Sequence, residues 1–442
     1  MDKQEPEKRG SNRRNELARK LYSGAFYGAI PLLAWRLYRR GRENPGYRDR
    51  VGERFGHFHG EPLTRSLWVH TVSVGEFLAA KGMIDWLMER YPGWPIVITT
   101  MTPTGADRVK AAYGQRVHHH YLPYDFPAAV NHLLDHIRPA ILIIMETELW
   151  PNLVHFTHQR EVPIVVANAR LSEKSARGYA RIHWLTAPML AAIDRVAAQG
   201  KADANRFIAL GLPSSAVEIT GTIKFDLVID DDLRARAYTL RERWGSARLV
   251  WIAASTHPGE DEQVLQAFRY LQGHFPHLLL VLVPRHPERF APVAALVRQQ
   301  GFKLQLHSQR DAVLPSTEVV LGDTMGELLL LMAASDVAFM GGSLEPIGGH
   351  NMLEPLAVGV PTICGPHVFN FATVAQLLTE HGVLTTVSSP LALANSVQEL
   401  LEQPEQRAAL AEKGMAVVDS HRGALLRLCR LLENLLMERG VG

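Results

Sequence analysis

From about residue 60 onward, short continuous apolar runs alternate with longer segments whose apolar positions recur at helical spacing. One series of runs comprises Leu67–Val72, Pro95–Thr100, Ala140–Met145, Pro163–Ala167 and Asp194–Ala198. A second comprises Arg248–Ala254, Leu278–Val283, Glu318–Leu321, Asp336–Met340 and Pro361–Cys364. Runs that are apolar at every position, not at alternate ones, fit strands covered on both faces. Amphipathic segments such as Leu78–Arg90, Ala128–His136 and Gly259–Gly273 supply the cover. The pattern predicts an α/β protein with two Rossmann-like doubly wound domains, at residues 56–226 and 247–422. A polar stretch at 227–246, containing Asp230-Asp231-Asp232, reads as the linker, and 423–442 as a C-terminal helix able to cross back. A chain of 442 residues is too long for one compact core, which agrees with two domains.

In doubly wound sheets, ligands bind beyond the carboxyl ends of the strands, so the residues that follow each run are the ones to inspect. Four polar clusters stand there: Ser73–Glu76, Glu146 with Glu148, Arg285-His286, and the glycine-rich run Gly341–Glu354. In the last, glycines remove side chains and a helix start offers free N–H groups, which suits a phosphate. The spacing is neither GxGxxG nor a P-loop, so dinucleotide and Walker-type sites are disfavoured. Glu354 stands where a carboxylate can hold ribose hydroxyls, so a nucleotide-sugar site is expected. Asn351 and Glu354 also have capping-box spacing, as do Ser73 and Glu76, and both pairs could simply start helices.

The N-terminal region, 1–55, differs from the rest. The uncharged stretch Leu21–Trp35, with Tyr22, Phe26, Tyr27 and Trp35, lies between basic flanks that include Lys8, Arg9, Arg13, Arg14, Arg19, Lys20, Arg36, Arg39, Arg40 and Arg42. Its fifteen residues are short of the ~20 needed to span a bilayer. A secretory signal is disfavoured because arginines follow the apolar run and no small-residue cleavage site appears. Aromatic ends and basic flanks fit an anchor in or near a membrane leaflet. The alternative is a soluble helix packed on the body of the protein.

Composition narrows the picture further. Apolar residues at 47% and charged residues at 21% describe an ordinary globular chain with a net charge of only +2. Cys364 and Cys429 make neither a disulfide framework nor a zinc site, which fits a reducing, cytoplasmic setting. No histidine pattern suggests a metal, and His118-His119-His120 reads as a surface loop. Nucleic-acid binding is disfavoured, because the basic residues flank an apolar segment and do not line a folded domain.

Several long motifs occur in order: His70-Thr71-Val72-Ser73-Val74-Gly75-Glu76, Thr99–Gly105, Tyr121–Asp125, Met145–Asn152, Ala167–Ser172, Gly221–Asp226, Val283–Phe290, Gly322–Leu328 and Gly341–Glu354. With these, the chain resembles the 3-deoxy-D-manno-octulosonic acid (Kdo) transferases of lipopolysaccharide biosynthesis, from about Leu21 to the C-terminal helix. The stretch Glu345-Pro346-Ile347 is a local departure that leaves the donor motif intact. The resemblance implies a two-domain glycosyltransferase of the B type (GT-B) with an inverting mechanism. It implies CMP-Kdo as donor, a lipid A precursor (lipid IVA) as acceptor, and no metal or cofactor. It also implies an enzyme of the inner membrane facing the cytoplasm, in contact with its lipid through the N-terminal anchor.

An inverting transfer needs a base for the acceptor hydroxyl on the face opposite the leaving group. The strand-end position and the resemblance assign that role to Glu76. The resemblance favours Glu146 as stabiliser of positive charge at the anomeric carbon, with strand alternation turning Glu148 the other way, toward a cap or a pair with Arg170. It gives Lys224 a catalytic role, against the plainer reading of a salt bridge with Asp226. Pro284, Arg285, Met325, Gly326, Glu327, Asn351, Met352, Leu353 and Glu354 are carried over as CMP-binding positions, and Arg289 as a structural neighbour. Two other readings stay open on sequence: another GT-B transferase or nucleotide-sugar epimerase, and a non-catalytic membrane-bound lipid-binding protein. Nothing in these motifs counts the Kdo residues transferred, although the full-length likeness favours two.

Overall fold

A computed structural model describes residues 5–227 and 229–440, with side chains from residue 16 onward. Lys8, Arg9, Arg13 and Arg14 of the basic flank therefore fall outside the described side chains. The chain divides into two units, Met1–Asp226 with Arg422–Gly442, and Leu227–His421.

The first unit is built on seven strands: β1 (Ser66–His70), β2 (Ile96–Thr100), β3 (His118–Tyr121), β4 (Pro139–Met145), β5 (Ile164–Ala169), β6 (Arg195–Ala198) and β7 (Val217–Ile219). Their order across the sheet is β3-β2-β1-β4-β5-β6-β7, every pair parallel. The second unit holds β8 (Val250–Thr256), β9 (Leu279–Pro284), β10 (Leu304–Leu306), β11 (Val319–Leu321), β12 (Val337–Met340), β13 (Thr362–Cys364) and β14 (Leu384–Thr386). Its order is β10-β11-β9-β8-β12-β13-β14, again all parallel. β1, β2 and β8 are buried at every position because helices cover both faces of each sheet.

All ten expected strands are present, and the four strands the apolar pattern does not announce are the four sheet edges: β3, β7, β10 and β14. An edge strand is covered less completely, so its sequence need not be a continuous apolar run. His118-His119-His120, expected as a surface loop, is the body of β3. The segment 227–246, expected as a polar linker, contains the helix Leu233–Trp244, which buries Leu233, Ala237, Leu240 and Trp244 in the second unit.

The C-terminal helix Ala424–Glu438 returns to the first unit. Its Leu428, Leu431, Leu432, Leu435 and Leu436 join the core formed by β1, β2, β4 and the helix Val74–Arg90. The approach is close: a Cβ on Gly82 would lie 2.8 Å from Leu425. Asp226 fixes the start of this helix, its carboxylate accepting from the N–H groups of Gly423 and Leu425 at 2.6 Å each.

The segment Leu21–Trp35 is divided between two helices, Glu5–Gly28 and Ile30–Glu43, that meet at Ala29. Among the described residues no helix is long and apolar enough to cross a membrane. One side of the first helix packs on the first unit. Arg19 and Ser23 donate to Asn152 Oδ1, and Phe26 and Tyr27 pack on Phe126. Asp125 organises this junction by accepting from the N–H groups of Asn152 and Leu153, and its burial raises its carboxyl to about 6. The first helix leaves Leu17 and Leu21 exposed beside Lys20, and the second leaves Leu32, Trp35 and Tyr38 exposed beside Arg36, Arg39 and Arg42.

Substituting Asp226→Ala removes two cap hydrogen bonds from a helix that completes a core, and should lower stability by about 1–2 kcal/mol in denaturant unfolding.

Candidate functional site

In the first unit, β1 ends at His70, and Ser73 caps the helix that follows, its hydroxyl accepting from the Glu76 N–H at 3.4 Å. Glu76 turns back over this turn: Oε2 accepts from the Val72 N–H at 2.8 Å, and Oε1 lies 3.2 Å from Ser73 Oγ, which donates. The capping geometry of the Ser73–Glu76 spacing is thus present, and it positions the carboxyl at a strand end. Burial, with the charges of Glu146 and Glu148 adding to it, pushes this carboxyl up to about 7 against the two hydrogen bonds that favour ionisation.

Glu146 and Glu148 follow β4, but strand alternation stops at Met145 because Glu146 has φ 56°, in the left-handed region. The expectation that alternation turns Glu148 away from Glu146 fails, because residues two apart share a face of a strand, and the charges of both bear on Glu76. Burial, then the Glu146 charge, raises the Glu148 carboxyl above its ordinary range. Lys224 lies in a short turn, Ile223–Phe225, held to β5 by Asn168, whose Oδ1 accepts from the Ile223 N–H at 3.3 Å. Asn168 itself has φ 51°, at a register shift in β5. Burial depresses the Lys224 ammonium, with the Glu146 carboxylate opposing the shift and Arg170 adding to it. Asp226, the partner expected in the plainer reading of Lys224, is instead the cap of the C-terminal helix. The first unit thus groups Glu76, Glu146, Glu148 and Lys224, a set that can accept a proton and stabilise positive charge nearby.

In the second unit, the glycine-rich turn after β12 is organised by a residue the sequence reading missed. Glu260, fully buried, accepts from the N–H groups of Gly342 (2.6 Å), Ser343 (2.9 Å) and Leu344 (2.9 Å), and from that of His257 (2.9 Å). The N–H groups expected to meet a phosphate in the first part of the turn are therefore directed at the protein's own carboxylate. The signal for it was an acid at a helix start beyond β8, one strand over in the sheet.

Further along the same run, Asn351 donates to Glu354 Oε1 at 3.1 Å and accepts from the Leu353 N–H at 3.2 Å, so these residues are paired at the start of the short helix Leu353–Ala357. Met352 and Leu353 are buried. Burial raises the Glu354 carboxyl, opposed by Asn351 and by Arg285, which stands just past β9 and Pro284. Arg289 is structural, holding the Thr256 carbonyl at 2.7 Å and the Asp261 carboxylate.

Met325 is exposed, and Gly326 has φ 82°, just before the helix Leu328–Ala333. The Glu327 carboxylate is taken by Arg310 in a two-point pair at 2.9 and 2.7 Å, and His307 stands 3.4 Å away. Arg310 holds its carboxyl down at about 2. These groups line a cavity of about 360 Å³ with Arg236 and Arg243.

Two parallel-sheet α/β units, with acids and a glycine-rich turn beyond the strand ends, have the architecture of nucleotide-sugar enzymes with domains of the glycosyltransferase B type. Residues 49–227 match the family model described as 3-deoxy-D-manno-octulosonic-acid transferase (kdotransferase), and residues 259–417 match that of the glycosyl transferases group 1. The chain is 45% identical over 403 residues to the 3-deoxy-D-manno-octulosonic acid transferase of Haemophilus influenzae, covering 90% of this chain and 94% of that protein. It is 34% identical to the transferase of the same name from Bordetella pertussis, over 95% of this chain and 100% of that protein. A UDP-GlcNAc 2-epimerase from Neisseria meningitidis, solved bound to UDP-GlcNAc, shares the fold at 14% identity. It covers 82% of this chain and 100% of its own, with a TM-score of 0.55. The chain belongs to the 3-deoxy-D-manno-octulosonic acid transferase family, glycosyltransferases that transfer Kdo in lipopolysaccharide biosynthesis.

Because Glu148 adds a like charge to Glu76, Glu148→Gln should move the Glu76 titration to lower pH, measured by carboxyl-carbon NMR; an unmoved titration would show that Glu148 takes no part in raising it.

Proposed function

We propose that this chain transfers Kdo from CMP-Kdo to lipid IVA, inverting the anomeric centre, with Glu76 as general base. The observation that carries the reading is the Glu76 carboxyl raised to about 7. A carboxyl in that range is about half ionised near neutrality, and its ionised form is a stronger base than an ordinary carboxylate. The acceptor hydroxyl gives its proton to Glu76 as its oxygen attacks the anomeric carbon, and the bond to the CMP phosphate breaks with its electron pair leaving on phosphate. Glu146 stabilises the positive charge that develops at the anomeric carbon, and the Lys224 ammonium, close to Glu146 in electrostatic reach, meets the Kdo carboxylate.

The donor's CMP is held in the second unit by Pro284, Arg285, Met325–Glu327 and Asn351–Glu354. The guanidinium of Arg285 supports this reading, since its planar fork suits phosphate. With Glu327 already neutralised by Arg310, it is the Met325–Gly326 backbone that suits a base edge. The chemistry on this reading needs no metal and no cofactor. The N-terminal helices lie on the cytoplasmic face of the inner membrane, where the exposed Leu21, Leu32, Trp35 and Tyr38 enter the interface and Arg36, Arg39 and Arg42 meet anionic headgroups. Membrane contact would put a lipid acceptor within reach of the first unit. Two Kdo residues are added in sequence, the first to a glucosamine hydroxyl and the second to the new Kdo.

Incubation with CMP-Kdo and lipid IVA, followed by mass spectrometry of the product, should show two added Kdo units. One unit restricts the site to the first addition, and none, with CMP bound, removes lipid IVA as acceptor. In the same assay Glu76→Gln should lose about 10²–10⁴ in turnover while keeping CMP affinity. Leu32→Glu with Trp35→Glu should abolish flotation with vesicles containing anionic lipid and leave unfolding unchanged; flotation that persists would place the membrane contact elsewhere.

A further inference from the structure

Beside the glycine-rich turn stand three histidines to which neither the sequence reading nor the proposed mechanism gives a role. His257 follows β8, His286 follows β9, and His350 lies in the run after β12. The Nε2 atoms of His257 and His350 are 2.8 Å apart and the rings are near-parallel at 9°, which is a hydrogen bond between two imidazoles. His286 meets the His257 ring edge-on at 5.5 Å between centroids. The charged groups that act on the pair are Arg285, Arg289, His286 and Glu260. Of these, the one acid is Glu260, and its carboxylate already accepts four backbone N–H groups.

A bond between two ring nitrogens needs one donor and one acceptor, so the neutral pair holds one proton on the shared axis. A further proton settles on the Nδ1 of the donor ring. The shared bond then becomes charge-assisted, and both rings present an Nδ1–H. In the empty protein this form is disfavoured: burial, followed by the surrounding cations, holds His350 down at about 3. An anion of sufficient charge would reverse the balance.

We infer that His257 and His350 form a proton-sharing pair that takes up a proton from solvent and binds the phosphate of the leaving CMP. This rests on the proposal that CMP-Kdo binds in the second unit. The donor is a phosphodiester with one negative charge, whereas CMP is a monoester that carries two once the bond to Kdo has broken. A pair that gains a positive charge interacts more strongly with the second charge as it develops, so it favours the transition state over the bound donor. No proton needs to pass to the phosphate: the electron pair of the broken bond stays on oxygen, and the acceptor proton goes to Glu76.

The test is calorimetry of CMP and of cytidine in two buffers of different ionisation enthalpy. It is run at about pH 8, well above the monoester's second pKa of ~6, so that free CMP is already a dianion. Binding of CMP to the wild-type chain should take up protons, and binding of cytidine should not. His350→Gln and His257→Gln should each abolish the uptake and weaken CMP by roughly tenfold or more, with cytidine affinity unchanged. Unchanged cytidine binding also reports that each variant is folded. Proton uptake that survives both substitutions, or its absence in the wild-type chain, overturns the pair's role while leaving the donor site standing. Equal losses for cytidine and CMP would reduce the pair to scaffolding. Failure of the wild-type chain to bind either ligand overturns the donor site and the pair together.

Discussion

Parallel strands covered by helices on both faces have no side left for polar chemistry except their ends, and that constraint shapes both units. The central strands bury every position, so a charged side chain among them would be desolvated without partners. Reactive groups are therefore confined to the first residues past the carboxyl ends, where backbone N–H groups are available to hold them. The backbone leaves regular extension there. Glu146 and Asn168 in the first unit and Ser255 in the second take φ values of 56°, 51° and 58°, and register shifts mark β5 and β8 near their ends. Strain of this kind persists where surrounding structure over-determines it, and here it marks the points where the strands give way to the site loops.

Glu76, Glu146 and Glu148 come together where the ends of two neighbouring strands, β1 and β4, meet. Three acids within electrostatic reach, each partly buried, cannot all ionise cheaply, and the repulsion has to appear as a raised pKa on some of them. Burial is the larger cause of the raised values on Glu76 and Glu148, and the like charges add to it. The Val72 N–H and Ser73 work in the opposite sense on Glu76 and keep its shift from running further. Capping and catalysis are thus not competing accounts of the Ser73–Glu76 spacing, since the cap that starts the helix also holds the carboxyl where its neighbours raise it.

Much of this is legible in the residues alone, and the failures share causes. All ten interior strands can be read because two-sided burial demands continuous apolar runs, whereas β3, β7, β10 and β14 escape because an edge strand is free of that demand. The helix Leu233–Trp244 hides behind Arg234, Arg236, Arg241 and Arg243: only one stripe of it is buried, and its charge density reads as a linker. Strand-end logic can place Glu76, Glu146 and Arg285 beyond their strands because the rule depends on position along one segment. It cannot find Glu260, whose partners are 82 to 84 residues away and are backbone N–H groups that carry no sequence signature.

Glu260 changes how anion recognition in the second unit has to be understood. A glycine-rich turn with converging N–H groups reads as a phosphate cradle, but a buried carboxylate already fills the first part of it. The turn is thereby rigid before any ligand arrives, with its donors satisfied and its shape fixed from inside. Such a turn positions its neighbours without spending its own N–H groups on the ligand. On the proposed reading, recognition of an added anion then falls to the groups beside the turn: the Arg285 guanidinium, the Asn351–Glu354 segment and the His257–His350 pair. Unlike backbone amides, whose dipoles are constant, imidazoles can gain a charge, and one that burial holds neutral gains it only when an anion stands beside it. A site built this way can respond to a charge that appears only as the bond breaks, and a cradle of amides alone cannot gain charge at that moment.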